Sequence, residues 1–341
     1  MRVAIATVQV PFLTGGAEAL AEGLRAALVA AGHRAEIVTL PFRFFPAAEV
    51  ERAMRTWESE DFMRMNLYEP ERVVCLKFLA YGLAHPAKAL WLCHQHRSAY
   101  ELYDAAGAGA EERALREAVA AFDARHLPAV SPRHTISRRV SERLRAANGI
   151  DSTPLYHPPP RAAEYSCARA EPYVLCPGRF EHAKRQELVV RAMQHVRADL
   201  TAVFVGEGGQ MGATRELAQS LGVAGRVRFL GRTTDAELLA LYANAAAVCF
   251  PTRDEDYGYV TLEAMLSSKP VVVCGDAGGP LEFVVDGETG HVVAAQPDEV
   301  ARAFDALAAQ PARAARMGRA GRARYRELVP GWESVVQALL A

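Results

Sequence analysis

The chain predicts an α/β protein made of two parallel-sheet domains, and three observations carry that expectation. Short β-rich apolar runs alternate with amphipathic helical stretches, the pattern of parallel strands covered by helices. That pattern runs through the first half and restarts near Tyr173. Between the halves stands His157-Pro158-Pro159-Pro160, followed by a polar, Ala/Arg-rich stretch to Pro172. Three consecutive prolines fit neither a helix nor a central strand, so a linker is expected there. The expected organisation is a first domain over 1–160, a linker over 161–171 and a second domain over 172–341. At 341 residues the chain is too long for one ordinary core.

In the first half the apolar runs predict strands over Arg2–Thr7, Ala35–Thr39, Arg72–Leu76 and Ala89–Cys93. Short strand pieces are expected near Leu127–Val130 and Pro154–Tyr156. Amphipathic stretches predict helices over Ala17–Ala31, Glu112–Ala124 and Arg133–Asn148. Phe42–Met65 is rich in aromatic and methionine residues with interspersed arginines. It reads as an amphipathic helical hairpin on the core, and an acceptor groove or a membrane-surface contact are the other readings. In the second half, strands are expected over Tyr173–Cys176, Thr201–Phe204, Val227–Phe229, Ala247–Phe250 and Val271–Cys274, with helices between them. Ala301–Arg326 reads as helices of the second domain. The last segment, about 331–341, is expected to cross back to the first.

Half the residues are hydrophobic and 23% are charged, the profile of a soluble globular protein. A formal net charge of −1 without a dense Lys/Arg stripe argues against nucleic acid as a partner. The six cysteines form no CxxC and sit mostly in apolar runs, where Cys behaves as a small hydrophobe. The N-terminus enters a strand without a basic region and long apolar run, and no stretch of about 18 apolar residues occurs. The expected location is the cytoplasm, with peripheral contact at the inner face of a membrane at most.

The richest stretch is Phe250–Glu282. A strand end and a turn at Pro251 lead into an acidic cluster, Gly258, and an apolar helix carrying Glu263 in its second turn. Backbone N–H groups of Tyr259, Val260 and Thr261 at the helix start, with the positive end of the dipole, make a receptor for an anion. From the helix, Glu263 could accept from a vicinal diol such as a ribose; from the loop, Glu255 could face a second hydroxylated group. A phosphate flanked by two polyols describes a nucleotide sugar. Acidic residues around a helix start are also ordinary capping chemistry.

The segment resembles the donor-site signature of the retaining glycosyltransferases of family 4. The matching residues are Pro251, Glu255, Gly258, Glu263, Ala264, Lys269-Pro270-Val271-Val272 and Gly278-Gly279-Pro280-Leu281-Glu282. The resemblance implies the GT-B fold, two Rossmann-like domains facing across a cleft. It also implies transfer of a hexose-type sugar, with retention, from a nucleoside diphosphate sugar to a hydroxyl acceptor (a glycan, a lipid-linked acceptor or a small molecule). Tyr257, Gly258, Tyr259, Val260, Thr261 and Glu263 would then belong to the donor site. Upstream, Gly178-Arg179 and Lys184 match the family's diphosphate-binding pair, though Lys184, Arg185 and Glu187 also read as a solvated helix face. Gly206, after the next strand, matches a loop facing the nucleotide, although glycine turns after strands also occur for steric reasons alone.

In the first domain, Thr14-Gly15-Gly16 resembles the family's glycine loop facing donor phosphate and acceptor, and Glu18 equally reads as a first-turn carboxylate. His94 matches a histidine beside the donor sugar. Ser131-Pro132-Arg133-His134 reads as an acceptor-side candidate or a helix cap. The catalytic set implied is Arg179, Lys184, Glu255 and His94. His94 and His96 have no accompanying Cys or carboxylate cluster for a metal. Asp254-Glu255-Asp256 has the Asp-x-Asp form of the metal-dependent glycosyltransferases, yet its surroundings fit the metal-free motif. No cofactor and no obligatory metal is therefore expected. The other readings are a nucleotide-sugar epimerase of the same fold and a non-catalytic nucleotide-sugar-binding partner protein. An NAD-dependent dehydrogenase would want GxGxxG after the first strand, which is absent.

Overall fold

A computed structural model describes residues 1–12, 15–64 and 68–341. The chain divides into two compact units, Met1–Pro160 with Pro330–Ala341, and Arg161–Val329.

The first unit runs β1 (Arg2–Gln9), α1 (Gly16–Ala30), β2 (Arg34–Pro41), α2 (Ala47–Ser59), β3 (Arg72–Cys75), β4 (Lys88–Leu92), α3 (Ala110–His126), β5 (Arg133–Thr135), α4 (Arg138–Asn148) and β6 (Thr153–Pro154). Its strands form one parallel sheet in the order β2-β1-β3-β4-β5-β6. Ile5, Val73, Val74, Leu90 and Trp91 are fully buried in it, as a sheet covered on both faces requires. Leu20, Leu24 and Leu28 of α1 recur every fourth residue and form the buried stripe of that helix.

The second unit runs β7 (Tyr173–Pro177), α5 (Gln186–Ala192), β8 (Thr201–Val205), α6 (Met211–Ser220), β9 (Val227–Phe229), α7 (Asp235–Asn244), β10 (Ala247–Phe250), α8 (Tyr259–Leu266), β11 (Val271–Cys274), β12 (Gly290–Val293), α9 (Pro297–Ala309) and α10 (Pro311–Leu328). Its sheet is again parallel, in the order β12-β11-β10-β7-β8-β9. Counted within the unit this is the doubly wound dinucleotide-fold order, whose direction of winding reverses between β7 and β10. Phe204 and Phe229 stack at 5.0 Å on one face of the sheet, with Phe180 5.9 Å from each. The final helix, α11 (Trp332–Leu340), belongs to the first unit. Its Trp332 ring lies edge-on to Trp91 at 6.2 Å and presses on Gly23 of α1, where a Cβ would stand 2.6 Å from the indole.

Several local readings are corrected. Leu127–Ala129 forms a 3-10 turn, and the strand lies at Arg133–Thr135, where the sequence had suggested the start of a helix. The helix begins only after Ser137, whose hydroxyl accepts from the Val140 N–H at 3.1 Å. Arg133 and His134 thus pair with β4 instead of capping. β12 went unread because His291 and a neighbouring turn interrupt its apolar character. One helix, α2, stands where a hairpin was expected over Phe42–Met65, and Met65 lies outside the described residues. Residues 161–171, read as a linker, lie along the second unit: the Ala168 and Glu171 N–H groups donate to the carbonyls of Ala243 and Asn244 at 2.8 Å.

Candidate functional site

Ligands of open parallel sheets gather outside the carboxyl ends of the strands, where the winding direction reverses. In the second unit that place lies between the loops after β7 and β10. The first carries Gly178, Arg179 and Lys184; the second carries Glu255, Tyr257 and Gly258 and runs into α8. Residues up to 85 positions apart in sequence, from Gly178 to Glu263, meet at this end of one sheet.

The loops are tied to one another mainly by backbone. Gly178 N–H donates to Val205 O, Phe180 N–H to Glu207 O and Gly206 N–H to Gly231 O, at 2.8–2.9 Å. Gly206 has φ of 125°, and a Cβ there would stand 2.2 Å from the Gly178 carbonyl oxygen, so no other residue fits without moving the loop. On the other side, Glu255 N–H donates to Ala277 O and its carbonyl accepts from Gly279 N–H, both at 2.8 Å. Gly258 caps α8 with φ of 89°, and a Cβ there would meet Pro280 at 2.8 Å. The Gly278-Gly279-Pro280 turn is thus the mould in which the start of α8 is set.

The charged groups sit on this frame. Lys184 Nζ donates to Glu255 Oε2, and Thr252 Oγ1 donates to the same oxygen at 3.1 Å. The ammonium also lies 5.1 Å from the centre of the Phe250 ring. Arg179 is half exposed and pairs with Glu181 at 3.0 Å. Arg185 forms a two-pronged pair with Asp276 at 2.9 and 2.5 Å, which holds the Asp276 carboxyl below its usual range. Thr261 is fully buried, and its hydroxyl finds no partner among the described residues. Val260 and Tyr259 are half-buried in the first turn, and Tyr257 is buried edge-on to Phe283 at 5.6 Å. Glu263 is half-buried in the second turn. Its carboxylate accepts from the Tyr242 hydroxyl at 2.5 Å with the Tyr165 phenol beside it, and removal from water raises its pKa in spite of both.

The remaining sequence candidates belong to the first unit. Gly15 is the N-cap of α1 and Gly16 its first residue; Thr14 lies outside the described residues. Glu18 accepts from the Gly15 N–H at 2.8 Å and from Lys77 Nζ at 2.8 Å. Burial opposes its ionisation, yet Lys77 and the backbone bonds prevail and lower its pKa. Lys77 stands two residues after the end of β3, and the first sheet reverses between β1 and β3, so this pair occupies that unit's switch point. His94 Nδ1 is 2.7 Å from the Gln95 carbonyl, which makes it the donor and leaves Nε2 as an acceptor in the neutral ring. Behind it, the Gln95 side chain donates to Asn148, Asn148 to Tyr100 at 3.0 Å, and Tyr100 and Tyr81 to the buried Asp123. His96 is buried 5.0 Å from the Phe78 ring, and desolvation, with His94 nearby, pushes its pKa down to about 4.

Sequence reasoning missed Lys77, Asp276 as the partner of Arg185, and the two tyrosines on Glu263. The signal for Lys77 was present: a cation just after a strand on the ligand side. Nothing local marks Tyr165 or Tyr242. A cavity of about 1140 Å³ opens at the opposite, amino end of the second sheet among Pro172, Leu200, Ala246, Pro270 and Ala308. It is lined by none of the candidate catalytic or donor-binding side chains. Among the described residues no group of three or more His, Cys, Asp or Glu could hold a metal ion, and no helix is long and apolar enough to cross a membrane.

Residues 164–324 match the sequence model of glycosyl transferases group 1. A lipopolysaccharide core biosynthesis mannosyltransferase of Rhizobium leguminosarum bv. viciae is 36% identical over 186 residues, covering 50% of this chain and 51% of the relative. A GDP-mannose-dependent alpha-(1-6)-phosphatidylinositol monomannoside mannosyltransferase of Mycolicibacterium smegmatis is 35% identical over 213 residues, 55% of either chain. The match therefore spans about half the length of these curated relatives. Among solved structures, sucrose-phosphate synthase from Thermosynechococcus elongatus superposes with a TM-score of 0.75 at 20% identity, covering 98% of this chain and 96% of that one. Anabaena HepE in complex with UDP and glucose gives 0.72 at 17% identity, covering 99% and 97%. The two parallel six-stranded sheets are thus the GT-B fold, and residues 164–324 are similar in sequence to glycosyl transferases group 1.

Proposed function

We propose that the protein is a retaining glycosyltransferase that moves a hexose from a nucleoside diphosphate sugar to a hydroxyl acceptor. The observation that carries the reading is the meeting, at the switch point between β7 and β10, of Arg179, the Lys184–Glu255 pair, the amino end of α8 and Glu263. In this reading Glu263 takes the ribose hydroxyls and Glu255 the sugar hydroxyls. Arg179, Lys184 and the N–H groups of Tyr259, Val260 and Thr261 receive the diphosphate. The two cations pair with Glu181 and Glu255, so a bound diphosphate would exchange one anionic partner for another.

The bond between C1 and the β-phosphate oxygen breaks while the acceptor oxygen forms a bond to C1 on the same face. The acceptor's proton passes to the departing phosphate. Charge develops on the β-phosphate, and preorganised donors aimed there supply the largest share of the acceleration. Metal independence belongs to the same proposal: two cations and a helix end supply the positive charge that an ion would otherwise bring. His94, with Nε2 left as an acceptor, would steady a sugar hydroxyl, and Gly15-Gly16 would face the phosphate.

The names of the relatives guide the choice of donor. Several are mannosyltransferases, three named as GDP-mannose-dependent, and others are D-inositol 3-phosphate glycosyltransferases. GDP-mannose and UDP-glucose are accordingly the first donors to try, with glycan, lipid-linked and inositol phosphate acceptors. The direct test is a thermal-shift screen against UDP, GDP, ADP, TDP and CMP, with and without EDTA, on the wild type and Glu263→Ala. Stabilisation by one diphosphate, unaffected by EDTA and lost in the variant, supports the reading. No shift with any nucleotide in folded protein removes it.

A further inference from the structure

Glu263 is the only carboxylate on α8, a helix otherwise buried through Thr261, Leu262, Ala264, Met265 and Leu266. Two phenols hold it. Tyr242, from α7, is fully buried and donates its hydroxyl to Oε2 at 2.5 Å. Tyr165, near the start of the second unit, is 7% exposed and brings its phenol beside the same carboxylate. The two rings meet edge-to-face at 5.5 Å, so each fixes the other's hydroxyl.

The choice of phenols has a chemical consequence. A carboxylate offers about four lone-pair directions, and two neutral O–H donors occupy part of them without cancelling the charge. A Lys or Arg in the same place would neutralise the group and make it a poor acceptor for hydroxyls. The carboxylate plane is therefore fixed, and the remaining lone pairs are aimed while still anionic, as recognition of a vicinal diol requires.

We propose that Tyr242 and Tyr165 are positioning residues that orient Glu263 onto the ribose diol, and that they set a preference for ribonucleoside over dideoxyribonucleoside diphosphates. This rests on the donor-site reading above. A purely structural role, satisfying a half-buried carboxylate, is the alternative it must beat.

The test is calorimetric titration of UDP and GDP, and of their 2′,3′-dideoxy counterparts, into wild type, Tyr242→Phe, Tyr165→Phe and Glu263→Ala. The Phe variants keep the rings and their packing. Circular dichroism and melting curves check that all four proteins are folded. The wild type is expected to bind one ribonucleotide at least tenfold more tightly than its dideoxy form, and Glu263→Ala to erase the ratio. Each Phe variant should cut the ratio by about fivefold or more through weaker binding of the ribonucleotide alone, as loss of one hydrogen bond to a charged group predicts. If the Phe variants keep the wild-type ratio while Glu263→Ala loses it, the proposal fails and the donor site stands. Equal weakening toward both nucleotide forms also overturns it, since that is the mark of a structural role. If the wild type binds neither diphosphate, or Glu263→Ala leaves the ratio intact, the donor-site reading fails and takes the proposal with it.

Discussion

The ligand-side loops of the two units are held in different ways. In the second unit the loops after β7, β8, β10 and β11 are laced together by backbone hydrogen bonds, and glycines let one strand of loop lie directly on another. In the first unit the corresponding ground behind His94 is held by side chains: Gln95, Asn148, Tyr100, Tyr81 and the buried Asp123, drawn from four different segments. A backbone frame tolerates almost no substitution at its contact points and leaves a compact motif in the chain. A side-chain network can be built from many residue combinations and leaves no motif.

The comparison can be broken at its stiffest point first. Gly206→Ala forces a Cβ against the Gly178 carbonyl at a positive φ, and should cost more than about 2 kcal/mol of second-unit stability together with nucleotide binding. A melting curve that matches the wild type would show that the loops are not laced as described. Next come the charges seated on the frame. Lys184→Ala or Arg179→Ala should lower kcat/KM by on the order of 10²–10³ with folding preserved, as loss of one preorganised donor does. A loss confined to KM would mean that the cation binds ground state and transition state alike.

The first unit makes a pH-dependent prediction. Burial pushes the Asp123 carboxyl up to about 6 even though the Tyr100 and Tyr81 hydroxyls donate to it. The folded state then binds this proton more tightly than the unfolded state, so stability from this group is present below the unfolded value and lost as pH rises through about 6. Between pH 5 and pH 7 the wild type should lose about 1 kcal/mol relative to Asp123→Asn. Denaturant titrations of both proteins at the two pH values measure it; parallel pH dependences would remove Asp123 as the cause. The smallest effect is expected at a helix cap outside the laced contacts. Thr234 caps α7 with its hydroxyl on the Glu237 N–H at 3.3 Å, and Thr234→Ala should cost about 1 kcal/mol in melting experiments without changing nucleotide affinity. Altered affinity there would extend the laced region to α7.

How much of this was legible in the chain follows from the same contrast. In the second sheet β7, β8, β10 and β11 read off directly, because buried parallel strands are nearly unbroken apolar runs. The start of α8 at Tyr259 was legible because Gly258, at a positive φ, marks a helix start within the chain itself. β5 was not: three residues, Arg133–Thr135, of which two are half-buried, carry no strand signature, and only pairing with β4 defines them. The candidate residues Arg179, Lys184, Glu255 and Glu263 were visible as types in a pattern. That Lys184 rests on Glu255, 71 positions away, was not.

The sequence by itself determined the alternation of strand and helix, the restart after the prolines, and the glycine-bearing loops that resemble a donor site. These are matters of local burial and backbone conformation, written in residues a few positions apart. Tertiary structure alone decided the strand order that brings the β7 and β10 loops to one place, the phenols that hold Glu263, and the buried carboxylate behind His94. Each depends on which distant segments become neighbours, and the loss of water that shifts Glu263 and Asp123 exists only once those segments have closed around them.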